Sequence, residues 1–316
     1  MKTLTRFVVG VLLGMVLHKF MRSNHPCKAV HLAAQNQTIY QKSIDKQRKR
    51  VLIGVLSSKS FMATRGRALY SNWLKEVPSW FGDILFFSEP GDNDLPTVKL
   101  RNVNDSVYPP QQKSFQMLAY FNDKLKDKYD WFIRLDDDSV LQWENLNELL
   151  VKLDPDNKTL IGSPGYGRDE DDFIEENMVY CMGGTGIIYS NALVRAIRPH
   201  LTTCIKQLYT EHEDIEICRC IWRYTSTKCT SSRSKYFFQN WAKNVPLGGI
   251  GYKTNIDPTN DLTNYIIDSA IVMHAVKNPD THTEIRERVL AKRIANYQVK
   301  GFLSILTPLG AHFPNW

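Results

Sequence analysis

No segment of this chain reaches the ~20 consecutive apolar residues that span a bilayer comfortably. The nearest approach is Phe7–Leu17 (FVVGVLLGMVL), with Lys2 and Arg6 before it and His18, Lys19 and Arg22 after it. No A-x-A cleavage site follows this run. Snorkelling of Lys19 lets Phe20 and Met21 lengthen it, so residues 1–22 are read as a short uncleaved signal-anchor in preference to a cleaved signal. Basic residues on both flanks set the orientation only weakly. Either reading delivers the remainder to the secretory lumen. The chain also has no zinc-finger, helix-turn-helix or RNP pattern, so nucleic acid is not an expected partner. It has neither G-x-x-x-x-G-K nor G-x-G-x-x-G, which excludes the P-loop and dinucleotide fingerprints. Internal repeats and low-complexity tracts are absent. The six cysteines do not have the short-range pairing of a zinc site.

What is present describes a folded lumenal protein. Apolar residues make up 43% of the 316, an ordinary share for a globular chain of one large or two small domains. The balance of 40 Lys+Arg against 33 Asp+Glu, +7, suits an anionic partner, although part of the excess lies in the run Lys46 to Arg50. Three N-x-S/T sequons begin at Asn36, Asn104 and Asn157. Five of the cysteines, Cys181, Cys204, Cys218, Cys220 and Cys229, cluster, and in an oxidising compartment they read as local disulfides. Residues 23–50 are polar and basic, as a stem would be, and residues 51–316 are assigned to the lumenal domain.

From Val51 the pattern alternates. VLIGVLS is a buried-type strand. TRGRALYSNWLKEV follows as a helix with Leu69, Trp73 and Val77 on one stripe. DILFFS is a second strand. After Pro109 and Pro110, Phe115, Leu118, Phe121 and Leu125 recur at helical spacing up to Tyr129, and DWFIRL is a third strand. Strand–helix alternation predicts an α/β fold with a mostly parallel sheet, whose ligands gather beyond the carboxyl ends of the strands. SNALVRAIRPH and HEDIEICRCIWRY are expected as helices and AIVMHAV as a strand. Thr281 and Glu284 have the spacing of a capping box.

Asp136, Asp137 and Asp138 follow the third strand directly. Carboxylate oxygens are hard ligands for Mg²⁺ or Mn²⁺, and three adjacent carboxylates repel one another unless a cation neutralises them. The alternative is a solvated acidic turn. His274 is either a hydrogen-bonded structural histidine or a neutral ligand to the same metal. Glu213 and Asp214 either cap a helix or supply the base of a transfer reaction. Gly183, Gly184 and Gly186 make either a tight bend or the wall of a sugar pocket. Arg65, Arg67 and Lys113, near strand-to-helix junctions, meet diphosphate charge or lie solvated at the surface.

The ordered segments TRGRALYSNW, VYPPQQKSFQMLAYF, YDWFIRLDDDSVL, CMGGTGIIYS, EHEDIEICRC and IVMHAVKNP resemble the β-1,3-glycosyltransferases that include Fringe, core-1 galactosyltransferase and the N-terminal domain of chondroitin synthases. The match runs over about residues 51–280 and is nearest to the chondroitin synthase domain. The resemblance implies a GT-A-like fold, a UDP-sugar donor, inversion, and Mn²⁺ held by Asp136, Asp138 and His274. It implies Asp214 as base and Arg65 on the donor side; Lys113 and Asp137 are assigned to the donor side as well, and Gly183, Gly184 and Glu213 to the acceptor or sugar pocket. It implies disulfides pairing Cys181 with Cys204 and Cys220 with Cys229. It places the protein in the Golgi membrane as a single-pass type II chain, with a glycan acceptor and a second glycosyltransferase subunit as partners. Thr185 and Cys218 depart from the pattern, and Cys218 is a candidate free thiol. The chain stops at Trp316 without a second transferase domain, so it is not expected to polymerise an alternating chain alone. The expected reaction is glucuronosyl transfer to an N-acetylgalactosamine-ended glycan. The rivals are galactosyl transfer, a catalytically silent partner of a synthase, and a lumenal lectin.

Overall fold

The computed structural model describes residues 49–165, 175, 177–230, 237–239 and 268–306. The expected anchor, the stem up to residue 48, Cys27 and Asn36 lie outside them. No helix among the described residues is long and apolar enough to cross a membrane.

Strand β1 (Lys49–Leu56) is central. It pairs in parallel with β2 (Gly82–Phe87) on one side and β4 (Tyr129–Asp136) on the other. β3 (Thr97–Val98) extends the β2 edge in parallel. Beyond β4, β9 (Ile187–Ser190) runs antiparallel to both β4 and β6 (Leu160–Gly162), and β10 (Cys229–Thr230) is parallel to β6. The order is β10-β6-β9-β4-β1-β2-β3. Four of the six adjacent pairs are parallel, so the α/β class with a mostly parallel sheet is as the alternation predicts.

The central strands read as unbroken apolar runs because both of their faces are covered. Val51, Ile53 and Val55 pack with Trp131, Ile133 and Leu135 in one cluster. Leu52, Leu56 and Phe132 pack in the other with Phe115, Leu118, Phe121 and Leu125. Each such side chain fully buried contributes about 1.5–3 kcal/mol, which pins the register of the sheet end that carries the aspartates.

The helices differ in detail from expectation. The TRGRALYSNWLKEV stretch is three pieces: a wide turn over Met62–Gly66, helix α1 (Arg67–Asn72) and a tight turn over Leu74–Glu76. Trp73 leaves helical backbone, and Val77 is extended because Pro78 disfavours a helical residue before it. Leu69 and Trp73 are nevertheless buried. Helix α2 (Gln111–Tyr120) passes into a wide turn over Phe121–Leu125, and Tyr129 already belongs to β4. The Thr281–Glu284 capping box is not formed. The last helix starts at Pro279 (Pro279–Leu306), and Asn278 Oδ1 accepts the Asp280 amide at 3.0 Å, placing Thr281 inside the first turn.

A second sheet positions the site. β5 (Ser139–Leu141) follows the aspartates and pairs antiparallel with β12 (Val272–His274), which is parallel to β11 (Phe237–Gln239).

The disulfides correct the expected pairing. They join Cys181 to Cys229 and Cys204 to Cys220, with Cα separations of 5.2 and 5.8 Å. Cys181 ends β8 (Tyr180–Cys181), which pairs antiparallel with β7 (Pro164–Gly165), and the Cys229 amide donates to Val179 O at 2.9 Å, so the Cys181 and Cys229 backbones run side by side. Cys204 ends a short helix (Leu201–Cys204) packed on the helix Glu213–Thr225 that carries Cys220. Cys218 is a buried free thiol whose Sγ accepts from the Cys181 amide at 3.3 Å.

Candidate active site

The carboxyl ends of β1 and β4 open into a cleft of about 790 Å³ lined by Arg65, Asp136, Asp138, Gly184, Asp214 and His274, among others. The register Leu56↔Asp136 places Ser57 beside Asp137. Ser57 Oγ donates to Asp137 Oδ2 at 2.7 Å. Burial raises the Asp137 carboxyl to about 6, with the Ser57 hydrogen bond opposing and the neighbouring Asp138 and Asp136 charges adding to it. Arg65 Nη1 lies 3.6 Å from Asp137 Oδ1, and its guanidinium sits over the Phe61 ring.

The β5–β12 pairing sets His274 opposite Ser139. This brings His274 Nε2 to 3.1 Å from Asp138 Oδ1 and 3.7 Å from Asp136 Oδ2. One ligand atom from each of the three lies within 4.8 Å of the others. Two hard carboxylate oxygens and an imidazole nitrogen fit a divalent ion such as Mn²⁺. Burial works against the charge on Asp138, but the hydrogen bond and charge of His274, together with the charges of Arg65 and Lys277, hold that carboxyl below its ordinary range. Behind these ligands, the Val276 amide donates to Asp138 O at 2.6 Å, and Val276 O lies 2.9 Å from Nε2 of buried His282. These contacts fix the main chain at Asp138 from behind the site.

The glycines serve this packing. A Cβ on Gly184 would run into the His274 ring, and one on Gly183 would lie 2.5 Å from Arg134 Nη1. Both are therefore close-approach positions, while the bend itself falls at Gly186, with φ +85°. Thr185 is buried, its hydroxyl donating to Met182 O at 3.0 Å.

Helix α3 (Trp143–Leu150) and helix α4 (Asn191–Ile197) pack away from the cleft, on the two core clusters. The next long helix, here α5 (Glu213–Thr225), starts at the cleft. Asp214 Oδ2 accepts the Gly183 amide at 2.8 Å, and Oδ1 accepts the Ile215 amide at 2.9 Å. Glu213 is buried and pairs with Arg134. Burial moves the Glu213 carboxyl up to about 7; Arg134 opposes this, while Asp214 and Asp136 add to it.

Lys113 is placed differently from the expected diphosphate contact. Its ammonium donates to Ser57 O at 2.6 Å and to Asp105 O and Oδ1, each at 2.9 Å. Three donors meet three protein oxygens, so Lys113 ties the end of β1 to the loop at Asp105. Arg67 likewise pairs with Asp92 and Asp94. Asn104 and Asn157 are exposed.

Sequence reasoning missed Ser57, Asp105 and Arg134. Only Arg134 carried a signal: it is a cation inside a buried-type strand, two residues before Asp136, and so on the same face.

The Fringe-like family matches residues 46–243, and the chondroitin N-acetylgalactosaminyltransferase family matches 200–301. Chondroitin sulfate synthase 3 of Homo sapiens is 32% identical over 267 residues, 81% of this chain and 29% of its own length. Chondroitin sulfate glucuronyltransferase of Homo sapiens is 22% identical over 85% of this chain and 33% of its own. This chain thus spans about a third or less of those relatives. A solved bifunctional glycosyltransferase, WbbM, aligns at 12% identity with TM-score 0.45, over 75% of this chain and 50% of its own. On the match that runs from before β1 to beyond β11, and so takes in the aspartate turn and the start of α5, this chain belongs to the Fringe-like family.

Proposed function

We propose that this chain is an inverting β-1,3-glycosyltransferase of GT-A-like fold that uses a UDP-sugar and a divalent cation, Mn²⁺ foremost. The observation that carries the reading is the convergence of Asp136, Asp138 and His274 within 4.8 Å, in the same cleft as Asp214. Those three residues would hold the cation, which when bound neutralises charge on the diphosphate. Arg65, on the Asp137 side, adds a second positive charge for the same group. Asp214 takes the proton of the acceptor hydroxyl while that oxygen forms its bond to the anomeric carbon and the bond to the diphosphate oxygen breaks. The Gly183 and Ile215 amides hold the two Asp214 oxygens in place for this step.

The donor we assign is UDP-glucuronate and the acceptor an N-acetylgalactosamine-ended glycan of chondroitin type. The names of the two human relatives support this choice. We assign the reaction to the Golgi lumen with residues 1–22 as anchor, a setting supported by two disulfides and by exposed sequon asparagines Asn104 and Asn157.

The test is UDP release and transfer by the full chain with a panel of UDP-sugars, UDP-galactose included, in Mn²⁺ or EDTA. Mn²⁺-dependent release from UDP-glucuronate, abolished by Asp138→Ala, is expected. Silence with every donor, in a protein that still folds and stabilises a synthase, would transfer the reading to a non-catalytic partner.

A further inference from the structure

The expected metal ligands lie largely at the end of β4, and the expected base at the start of α5. Arg134 stands between them. Its side chain is only 5% exposed, and its Nη2 lies 3.0 Å from Asp136 Oδ1 while also donating to Glu213 Oε1. Arg134 and Asp136 share one face of β4. Glu213 is the first residue of α5, one peptide from Asp214. One guanidinium therefore touches both halves of the site. A buried ionic group of this kind is poor evidence of stabilisation, since well-packed apolar residues commonly serve as well or better. Two further donors of the group, Nε and Nη1, are buried and have no partner among the described residues. Stability alone does not account for such an arrangement. Gly183 joins the same contact: its missing Cβ leaves room for Arg134 Nη1, and its amide donates to Asp214 Oδ2.

We infer that Arg134 is a positioning residue that couples the two halves, holding the α5 start, with Asp214, in fixed relation to Asp136. This rests on the transfer reading above. The acceptor hydroxyl must meet the base and the anomeric carbon in one geometry, and a misplacement of about 1 Å can cost about 100-fold in rate. The three side chains expected to bind Mn²⁺, Asp136, Asp138 and His274, all remain when Arg134 or Gly183 is changed, and saturating Mn²⁺ offsets a less well oriented Asp136. Arg134 therefore acts on turnover more than on Mn²⁺–UDP affinity.

The test uses the full chain with Arg134→Lys and, independently, Gly183→Ala, which keeps the arginine but crowds its Nη1. Thermal melting checks folding, and the glycine variant decides if the lysine variant does not fold. The expected result is kcat lower by about 10–100-fold in both, with the calorimetric Kd for UDP in saturating Mn²⁺ within about threefold of wild type. Hydrogen exchange of peptides spanning Gly183 and Ile215 is expected to quicken. Unchanged kcat overturns the proposal. A fall in kcat matched by an equal loss of UDP–Mn²⁺ affinity overturns it too, since Arg134 would then only support a metal ligand. Wild-type silence with all donors is a failure of the transfer reading; the exchange measurement then decides the coupling, which unchanged protection at Gly183 and Ile215 overturns.

Discussion

Replacing Gly184 by alanine adds one methyl group and tests the geometry of the metal set more sharply than removing a ligand would. Gly184 does not have the positive φ of Gly186, so an alanine fits the backbone, and the cost is steric. The new Cβ would lie within contact of three His274 ring atoms. To regain a separation of about 3.5–4.0 Å the ring must retreat by roughly 1–1.5 Å. It has no room toward Asp138, whose Oδ1 is already 3.1 Å from Nε2. One of three ligand atoms is therefore displaced while all three side chains remain. Disturbing ligand orientation in this way costs about 10–100-fold in metal affinity, which is about 1.4–2.7 kcal/mol. Mn²⁺ titration followed by electron paramagnetic resonance of the free ion measures it, with thermal melting to separate the ~1–3 kcal/mol of general overpacking. An unchanged Mn²⁺ Kd in a folded Gly184→Ala chain would refute the assignment of His274 as a ligand. A weakened Kd that Gly184→Ser reproduces would support it.

Three further outcomes are expected. Asp214→Asn keeps an acceptor for the Gly183 amide but cannot take a proton, so kcat falls by about 10²–10⁴-fold with UDP–Mn²⁺ binding intact; comparable loss of binding would make Asp214 structural. Glu213 has a folded-state value raised from 4.5 to about 7. Between those pH values the folded chain keeps a proton that the unfolded chain has lost, so this group's contribution to stability is full below 4.5 and declines as pH rises through 7. Urea unfolding at pH 5 and pH 7.5 should show that slope flattened in Glu213→Gln, and an equal slope would count against the burial of this carboxyl. Peptide mapping without reduction should recover Cys181–Cys229 and Cys204–Cys220. Loops of 48 and 16 residues predict that serine replacement of the first pair costs about 4 kcal/mol and of the second about 3. Recovery of a Cys181–Cys204 peptide would overturn the pairing.

The parts of this molecule that were legible in the sequence are those whose cause is local. β1 and β4 are buried on both faces, and that condition writes itself as an unbroken apolar run, so both strands and the sheet end carrying Asp136–Asp138 were placed within a residue or two. What depends on contact between distant segments left weaker marks. His274 alone looks like any strand histidine; only the antiparallel register of β12 with β5 makes it face Asp138. Gly183 and Gly184 announce that a side chain is missing without saying that a guanidinium and an imidazole occupy the space. Lys113 was legible as a charge near the cleft, but its partner Asp105 sits in a loop with no periodicity to reveal it.

The cysteines show how far helical geometry reaches before the register is needed. Cys218 and Cys220 stand two positions apart on α5, about 200° around a helix of 3.6 residues per turn. They must therefore face different neighbours, and no single partner element can bond both. That much follows from the sequence and forbids treating the five clustered thiols as interchangeable. Which face meets β8 and which meets the helix ending at Cys204 is decided by how α5 lies on the sheet. The start of α5 is drawn to the cleft by the Asp214–Gly183 bond and the Glu213–Arg134 pair. With that end held, Cys218 points to Cys181 and stays a thiol, because Cys229 reaches the Cys181 sulfur from β10 instead. Cys220 is left facing Cys204. The residues that orient the base thus share one helix with the residues that choose the disulfides, and a change that rotates α5 should disturb both together.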